Sequence, residues 1–286
     1  MFPMGSEFNL ESEVREKENI SPRVAWFVER IPRGREVLKD LYEYDAYTYI
    51  HVVQMLNEAC ILLDEHLDEI KEIGIPERYN DEEFKMVFMG AVLYHDWGKR
   101  GVEHSVLNAK KFKGNQWAEM QQHVIRGVER LIPEKLGNES SELHRDMARI
   151  AFSHHRNKFK RKIRKDYPEA AALEVKMPGY QEWFEGGGEE ISELLSILDV
   201  NDAMRSRRSY KTSKSKAETW AALEDDFMEA RKKDDEEYEK KGKYKNTKYY
   251  KICSIVFEKW QAMKDSEDYT FRRKLIEGDD DEEGAK

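Results

Sequence analysis

Apolar positions along this chain recur at three- and four-residue spacing nearly throughout, and no run of alternating β-branched residues interrupts them. That periodicity predicts helices near 22–31, 34–43, 46–72, 81–96, 102–112, 116–132, 139–155, 189–207, 216–240 and 247–264. Ser21-Pro22 is a start signal for the first, with Pro at the first helical position. "GIPERYN" at 74–80 separates the third from the fourth. Residues 156–188 hold no sustained period and read as the one long irregular stretch, a length that is usually functional or mobile. Residues 231–246, "RKKDDEEYEKKGKYKN", read as a solvated helix extension or a surface insertion. The expected fold class is all-α, a single domain with a short N-terminal helical pair leading in.

Polar residues break the apolar stripes at particular places. In "EEFKMVFMGAVLYHDWGKRG" the stripe Phe84, Phe88, Ala91, Val92 runs into His95, with Asp96 beside it. His123 sits on the stripe of Met120, Val124, Gly127, Val128 and Leu131. His154 follows Met147, Ile150 and Ala151 at the next turn, with His155 adjacent. Asp199 and Asp202 share a face with Ile191, Leu194, Leu195 and Leu198. His51 lies beside the Val52–Leu56 stripe. A single histidine on an apolar face is usually a hydrogen-bonded core residue. Five helices doing the same thing imply convergence, because unpaired burial of so many polar groups would cost several kcal/mol each. His66, His104 and His144 are flanked by charges or helix starts and read as surface residues.

Composition narrows the chemistry. The chain has 286 residues, 39% hydrophobic and 37% charged, which describes a soluble protein large enough to bury a core. No apolar run approaches the roughly 18 residues of a membrane span, and no signal-peptide pattern opens the chain. "GSEF" at 5–8 reads as a cloning remnant. Two cysteines, Cys60 and Cys253, exclude a disulfide scaffold and fit a reducing cytoplasm. The net charge of −9 argues against a general nucleic-acid binder, while the basic run "RNKFKRKIRK" at 156–165 suits an anionic ligand.

Imidazole and carboxylate without thiolate suit Fe, Mn, Zn or Co rather than a structural Cys-zinc site. Six or seven such groups are too many for one tetrahedral ion and suit two metals. Asp96, next to His95, is the natural bridge.

The ordered pattern His51, His95-Asp96, His123, His154-His155, Asp199 resembles the HD-domain superfamily of metal-dependent phosphohydrolases. "YDAYTYIHVVQM", "LYHDWGKRGV", "MQQHVIRGVERL", "AFSHHRN" and "EISELLSILDVNDAMRSRRSYK" resemble that family's successive motif segments. The closest likeness is to the HD-GYP subgroup, which hydrolyses cyclic dinucleotides. The resemblance implies a helical-bundle domain over 40–264, preceded by a tag remnant and helical lead-in at 1–39 and followed by an acidic, disordered tail at 265–286. It implies metal ligation by His51, His95, Asp96, His123, His154, His155 and Asp199; Asp202, one turn after Asp199, reads as holding a ligand or an arginine in place. It assigns Lys99 to phosphoryl charge, and Arg208 and Lys211 to substrate phosphate. Two divalent ions are implied, Fe or Mn foremost, with Zn, Co or Ni as options. The chain departs from the subgroup in two ways. Arg156 follows the histidine pair, and "PGY" at 178–180 only scrambles the Gly-Tyr-Pro loop that lines the pocket there. Tyr47 also stands where some members carry a glutamate linked to a third metal.

The expectation is therefore a cytoplasmic enzyme in which metal-activated hydroxide hydrolyses a phosphodiester of a nucleotide or cyclic dinucleotide, with a homodimer possible. A non-catalytic nucleotide-binding or signalling scaffold, a phosphomonoester or nucleotide hydrolase, and an HD-type di-iron oxygenase are the rivals.

Overall fold

Three helix starts in this protein coincide with side chains that take up the unpaired N–H groups of a first turn. Ser21 accepts from the N–H of Val24 to open α1 (Pro22–Arg30). Asp45 does the same from Thr48 to open α3 (Ala46–Glu65), directly after α2 (Gly34–Tyr44). Asn80 and Glu83 form a reciprocal capping box at the start of α5 (Asp81–Tyr94), beyond the short α4 (Leu67–Lys71). The computed structural model describes residues 20–71, 78–109, 113–131, 142–155 and 169–205. Among them every regular element is helical, so the architecture is all-α, as the periodicity predicts.

α5 is the axis of the bundle. Phe84 and the run Val87–Tyr94 are buried, so the helix is covered on every side rather than along one stripe. It packs mainly against α9 (Glu142–Ser153) and α3, with α1 and α2 across one end. α8 (His123–Leu131) leans on the short 3₁₀ helix Trp97–Gly101 that follows α5. α12 (Glu189–Arg205) closes the bundle against α9 and α3. One continuous core joins these helices, and a small satellite of Val102, Val106 and Leu107 sits beside it.

Several expected elements differ in detail. Of the helix expected over 102–112, the described residues form a single turn, α6 (His104–Leu107), preceded by the 3₁₀ helix Trp97–Gly101. The helix expected over 46–72 breaks at His66, whose ring pairs with Glu69 at 3.1 Å. The helix expected over 116–132 is interrupted at Gln122, between α7 (Gln116–Gln121) and α8. The carbonyl of Met120 accepts from the ring of His123 there, which competes with the helical ladder. Much of 169–188 is helical rather than irregular: it forms α10 (Glu169–Lys176) and α11 (Tyr180–Trp183), and the chain kinks at Gly186 and Gly187, the latter with φ 113°, before the next helix. Ala170 to Leu173 are strong helix formers. The division drawn at 39/40 falls inside α2. Residues 1–19, the basic run 156–165, the helices expected over 216–240 and 247–264 and the acidic tail lie outside the described residues.

Candidate metal centre

The last carbonyls of an α-helix have no N–H partner within it. Histidines at those positions can supply one and keep the second ring nitrogen for other work. His95, just past α5, donates Nδ1–H to the carbonyl of Val92 at 2.7 Å. His154, just past α9, donates to Ala151 at 2.5 Å. His123, at the break between α7 and α8, donates to Met120 at 2.6 Å. His51, inside α3, uses a carboxylate instead: its Nδ1 lies 2.6 Å from Asp202 Oδ2 on α12. In all four rings Nδ1 is engaged; in His95, His123 and His154 this fixes the tautomer and leaves Nε2 as a bare lone pair, whereas His51 also carries a proton on Nε2, beside Asp199 Oδ1.

Those Nε2 atoms converge. His51 Nε2 and His95 Nε2 are 3.3 Å apart. His51 Nε2–H can donate to Asp199 Oδ1 or to His95 Nε2, and a cation taking both nitrogens must displace that proton. Asp96 Oδ2 is 3.7 Å from His51 Nε2 and 3.5 Å from His95 Nε2, while its other oxygen, Oδ1, is 3.6 Å from His123 Nε2. Asp199 Oδ1 stands 3.2 Å from His51 Nε2. The rings form a continuous chain: His51 to His95 at 5.4 Å between centroids, His95 to His154 at 5.2 Å, His154 to His123 at 5.5 Å and His154 to His155 at 4.0 Å. Two groups have ligand atoms close enough to share an ion, His51–His95–Asp96 and His123–His154–His155. Asp96 lies between them with one oxygen toward each.

The electrostatics fit a cation. Burial raises the Asp96 carboxyl, but Lys99 and the imidazoles of His95 and His123 outweigh it and hold the group well below the usual range. Asp199 is also held low: burial opposes this, and His51 overcomes it. His51 is pushed up to about 9, since Asp199 and Asp202 together outweigh a burial effect that pulls it down. His123 and His154 fall to about 4 and about 3, mainly through burial, so both are neutral donors near neutral pH. His123 Nε2 is fully buried and has no hydrogen-bond partner among the described residues. Donor type, tautomer and this orphaned lone pair all fit divalent metals that accept nitrogen and oxygen.

The structure brings together His51, His95, Asp96, His123, His154, His155 and Asp199. It places Lys99 beside them, its Nζ bonded to Asp96 Oδ2. Ser196 of α12 donates to the carbonyl of His154 and ties the histidine pair to the helix that carries Asp199. Arg208 and Lys211 lie outside the described residues. Tyr47 is exposed. His104 is exposed and stacks on Tyr44, and His66 is partly buried beside Glu69.

His144 is not a surface residue: it is buried, tilted against Tyr94 at 6.0 Å. Its charged neighbours Glu142 and Arg145 misled the reading, because residues one or two apart on a helix face different ways. Sequence reasoning also missed Asp40, which is buried on α2 and receives the Trp97 indole N–H at 3.0 Å. The signal was available, since Asp40 is a carboxylate between Val37 and Leu41 on an apolar stripe.

Compared with known proteins, the chain matches the family model described as HD domain over residues 48–205, more than half its length. No curated protein and no solved structure matches it. Among the described residues no helix is long and apolar enough to cross a membrane.

Proposed function

The chain belongs to the HD domain family, largely metal-dependent phosphohydrolases, and from that premise we propose that it hydrolyses a phosphodiester of a cyclic dinucleotide, in the manner of the HD-GYP subgroup. The supporting observation is Asp96, whose two oxygens point to two separate histidine groups. His51, His95, Asp96 and Asp199 would hold one cation, and His123, His154, His155 and Asp96 a second. Fe or Mn suits this donor set best, with Zn, Co or Ni as options. Such a pair supplies Lewis acidity toward a phosphoryl oxygen and lowers the pKa of water enough to give a nucleophile near neutral pH.

The chain's own residues do the rest. Asp202 fixes the tautomer and orientation of His51. Lys99, on the turn after Asp96, carries an ammonium to the same spot, where it offsets negative charge developing on phosphate oxygens. Arg208 and Lys211 contact substrate phosphate in this reading, as the resemblance implies. A water oxygen forms the new P–O bond in line with the ester oxygen that leaves, and the leaving oxygen takes up a proton.

A phosphomonoester or single-nucleotide hydrolase is the second reading. The observation in its favour is Tyr180 of "PGY". It is fully buried, with Oη 2.8 Å from Ser153 Oγ, so it contributes to the core rather than to a substrate wall.

The test pairs purified protein with Asp96→Ala. Metal content is measured by elemental analysis. Hydrolysis of bis-p-nitrophenyl phosphate, cyclic di-GMP and a nucleoside monophosphate is followed with Mn²⁺ or Fe²⁺. About two metals per chain and turnover lost in Asp96→Ala are expected. Turnover of the monophosphate alone would favour the second reading. Metal-replete protein inert toward all three would leave a non-catalytic binding module.

A further inference from the structure

The turn that carries Asp96 and Lys99 is gripped from outside the family match. α2 ends at Tyr44, whereas the HD domain match begins at residue 48. Asp40 and Tyr44, one helical turn apart on α2, both reach that turn. Asp40 Oδ2 accepts the indole N–H of Trp97 at 3.0 Å, and Asp40 Oδ1 pairs with the guanidinium of Arg100. Tyr44 donates its hydroxyl to the carbonyl of Val102 at the turn's far end. The two α2 residues thus hold Trp97, Arg100 and Val102, which flank Lys99 on either side.

The grip has a second jaw. Arg33 lies between α1 and α2 with a left-handed backbone, φ 58°. Its guanidinium stacks on Trp97 at 4.5 Å and donates to the carbonyl of Arg130 at the end of α8, the helix that begins with His123. Tyr94, next to His95, donates its hydroxyl to the carbonyl of Pro32 in the same connection. Trp97 itself is fully buried. A buried indole N–H needs a partner, and a buried carboxylate needs positive charge around it. Asp40 meets both needs: Trp97 supplies the donor, and Arg100 and Arg130 supply the charge, the latter at 4.0 Å.

We infer that Asp40, acting through Trp97 and Arg100, is a positioning residue for the metal centre: it fixes the turn so that the two oxygens of Asp96 face the two histidine groups. The inference rests on the metal-centre reading above. Without this grip the turn keeps its packing but gains freedom about Asp96, and the bridging geometry loosens. Partners bonded directly to a ligand change metal affinity by about 10- to 100-fold when removed, and Asp40, which acts through Trp97, stands one step further out, so its effect is up to about tenfold.

The experiment titrates chelator-treated protein with Co²⁺, following the d–d absorption for both affinity and ligand field. Thermal unfolding is recorded in parallel without metal. Asp40→Ala is expected to bind Co²⁺ up to about tenfold more weakly, with an altered spectrum. Trp97→Phe, which keeps the ring and loses the donor, should weaken binding in the same direction. The double variant should be little worse than either single, because the two side chains act as one unit. Asp40→Asn keeps an oxygen for the indole and should recover part of the affinity. Should Asp40→Ala not fold, Asp40→Asn and Trp97→Phe carry the same comparison. Parent affinity and spectrum in these variants, whatever happens to their melting temperature, would reduce Asp40 to a structural residue and overturn the inference alone. A parent that binds no Co²⁺ would remove the metal-centre reading, and the inference with it.

Discussion

His95, His123 and His154 each give Nδ1–H to the carbonyl three residues back, and His51 gives its own to Asp202. The first three anchors are main-chain atoms that no side-chain substitution removes. Only His51 depends on a replaceable partner. Asp202→Asn should therefore cost about 10- to 100-fold in metal affinity, measured by titration, while the fold persists. The same pair sets a pH dependence. In the protein without a cation, His51 is held up to about 9 by Asp199 and Asp202, so a metal taking its Nε2 must displace a proton below that pH. Apparent affinity should rise by up to about tenfold from pH 7 to pH 8. Calorimetric titration in buffers of different ionisation enthalpy should register the released proton. Affinity that does not change between pH 7 and 8 would contradict the assignment of His51 as a ligand.

At the scale of elements, the centre depends on how closely the 3₁₀ turn approaches α8. A Cβ on Gly98 would stand 1.7 Å from the carbonyl oxygen of His123 and 2.6 Å from the amide nitrogen of Gly127. Both obstacles are backbone, so the helix itself must move. Gly98→Ala should destabilise by about 1–3 kcal/mol or more. It should also reduce metal content, because the displaced atom belongs to a ligand-bearing residue. Gly90→Ala is the control within the core. Its Cβ would meet Met147 Sδ at 2.5 Å, the flexible end of a side chain that can turn aside. Melting temperature and metal analysis of the two variants should separate them, with Gly98→Ala losing on both measures and Gly90→Ala losing mainly stability. Equal metal loss in both would mean that crowding anywhere in the core disturbs the site.

For the whole molecule, the metal centre and the fold are linked by mass action. A ligand present at a hundred times its dissociation constant stabilises by about 2.7 kcal/mol. At about 2–4 °C per kcal/mol for a chain approaching this size, chelation should lower the melting temperature by roughly 5–10 °C. Acid adds a second, metal-independent effect. Burial, helped by Arg33, holds the pKa of His144 below its ordinary value. As pH falls through about 6.5 the unfolded chain takes up that proton first, so stability present above this pH is lost below it. Denaturant unfolding of chelated protein at pH 7.5 and 5.5 should show the parent losing stability on acidification. His144→Asn, which cannot protonate, should lose less over the same interval.

Helix type and the candidate ligands were legible in the sequence because both depend on local period. A histidine or aspartate that interrupts a 3.6-residue stripe is visible wherever the stripe is, as at His51, His95, His123, His154 and Asp199. The same criterion applies to Asp40, which no motif marked out. What stayed hidden depends on contacts between distant segments. His144 is buried because α9 is covered over a face broader than one stripe, and Trp97 matters because α2, some 57 positions away, brings Asp40 to its indole nitrogen. The breaks at His66 and Gln122 coincide with ring hydrogen bonds, from His66 to the Glu69 carboxylate and from His123 to the Met120 carbonyl. The sequence by itself therefore determined that His51, His95, Asp96, His123, His154 and Asp199 break apolar stripes and that they suit a metal. Only the tertiary structure decided that Asp96 faces both histidine groups, because that depends on how α2, the 3₁₀ turn and α8 pack together, and no one-dimensional period records it.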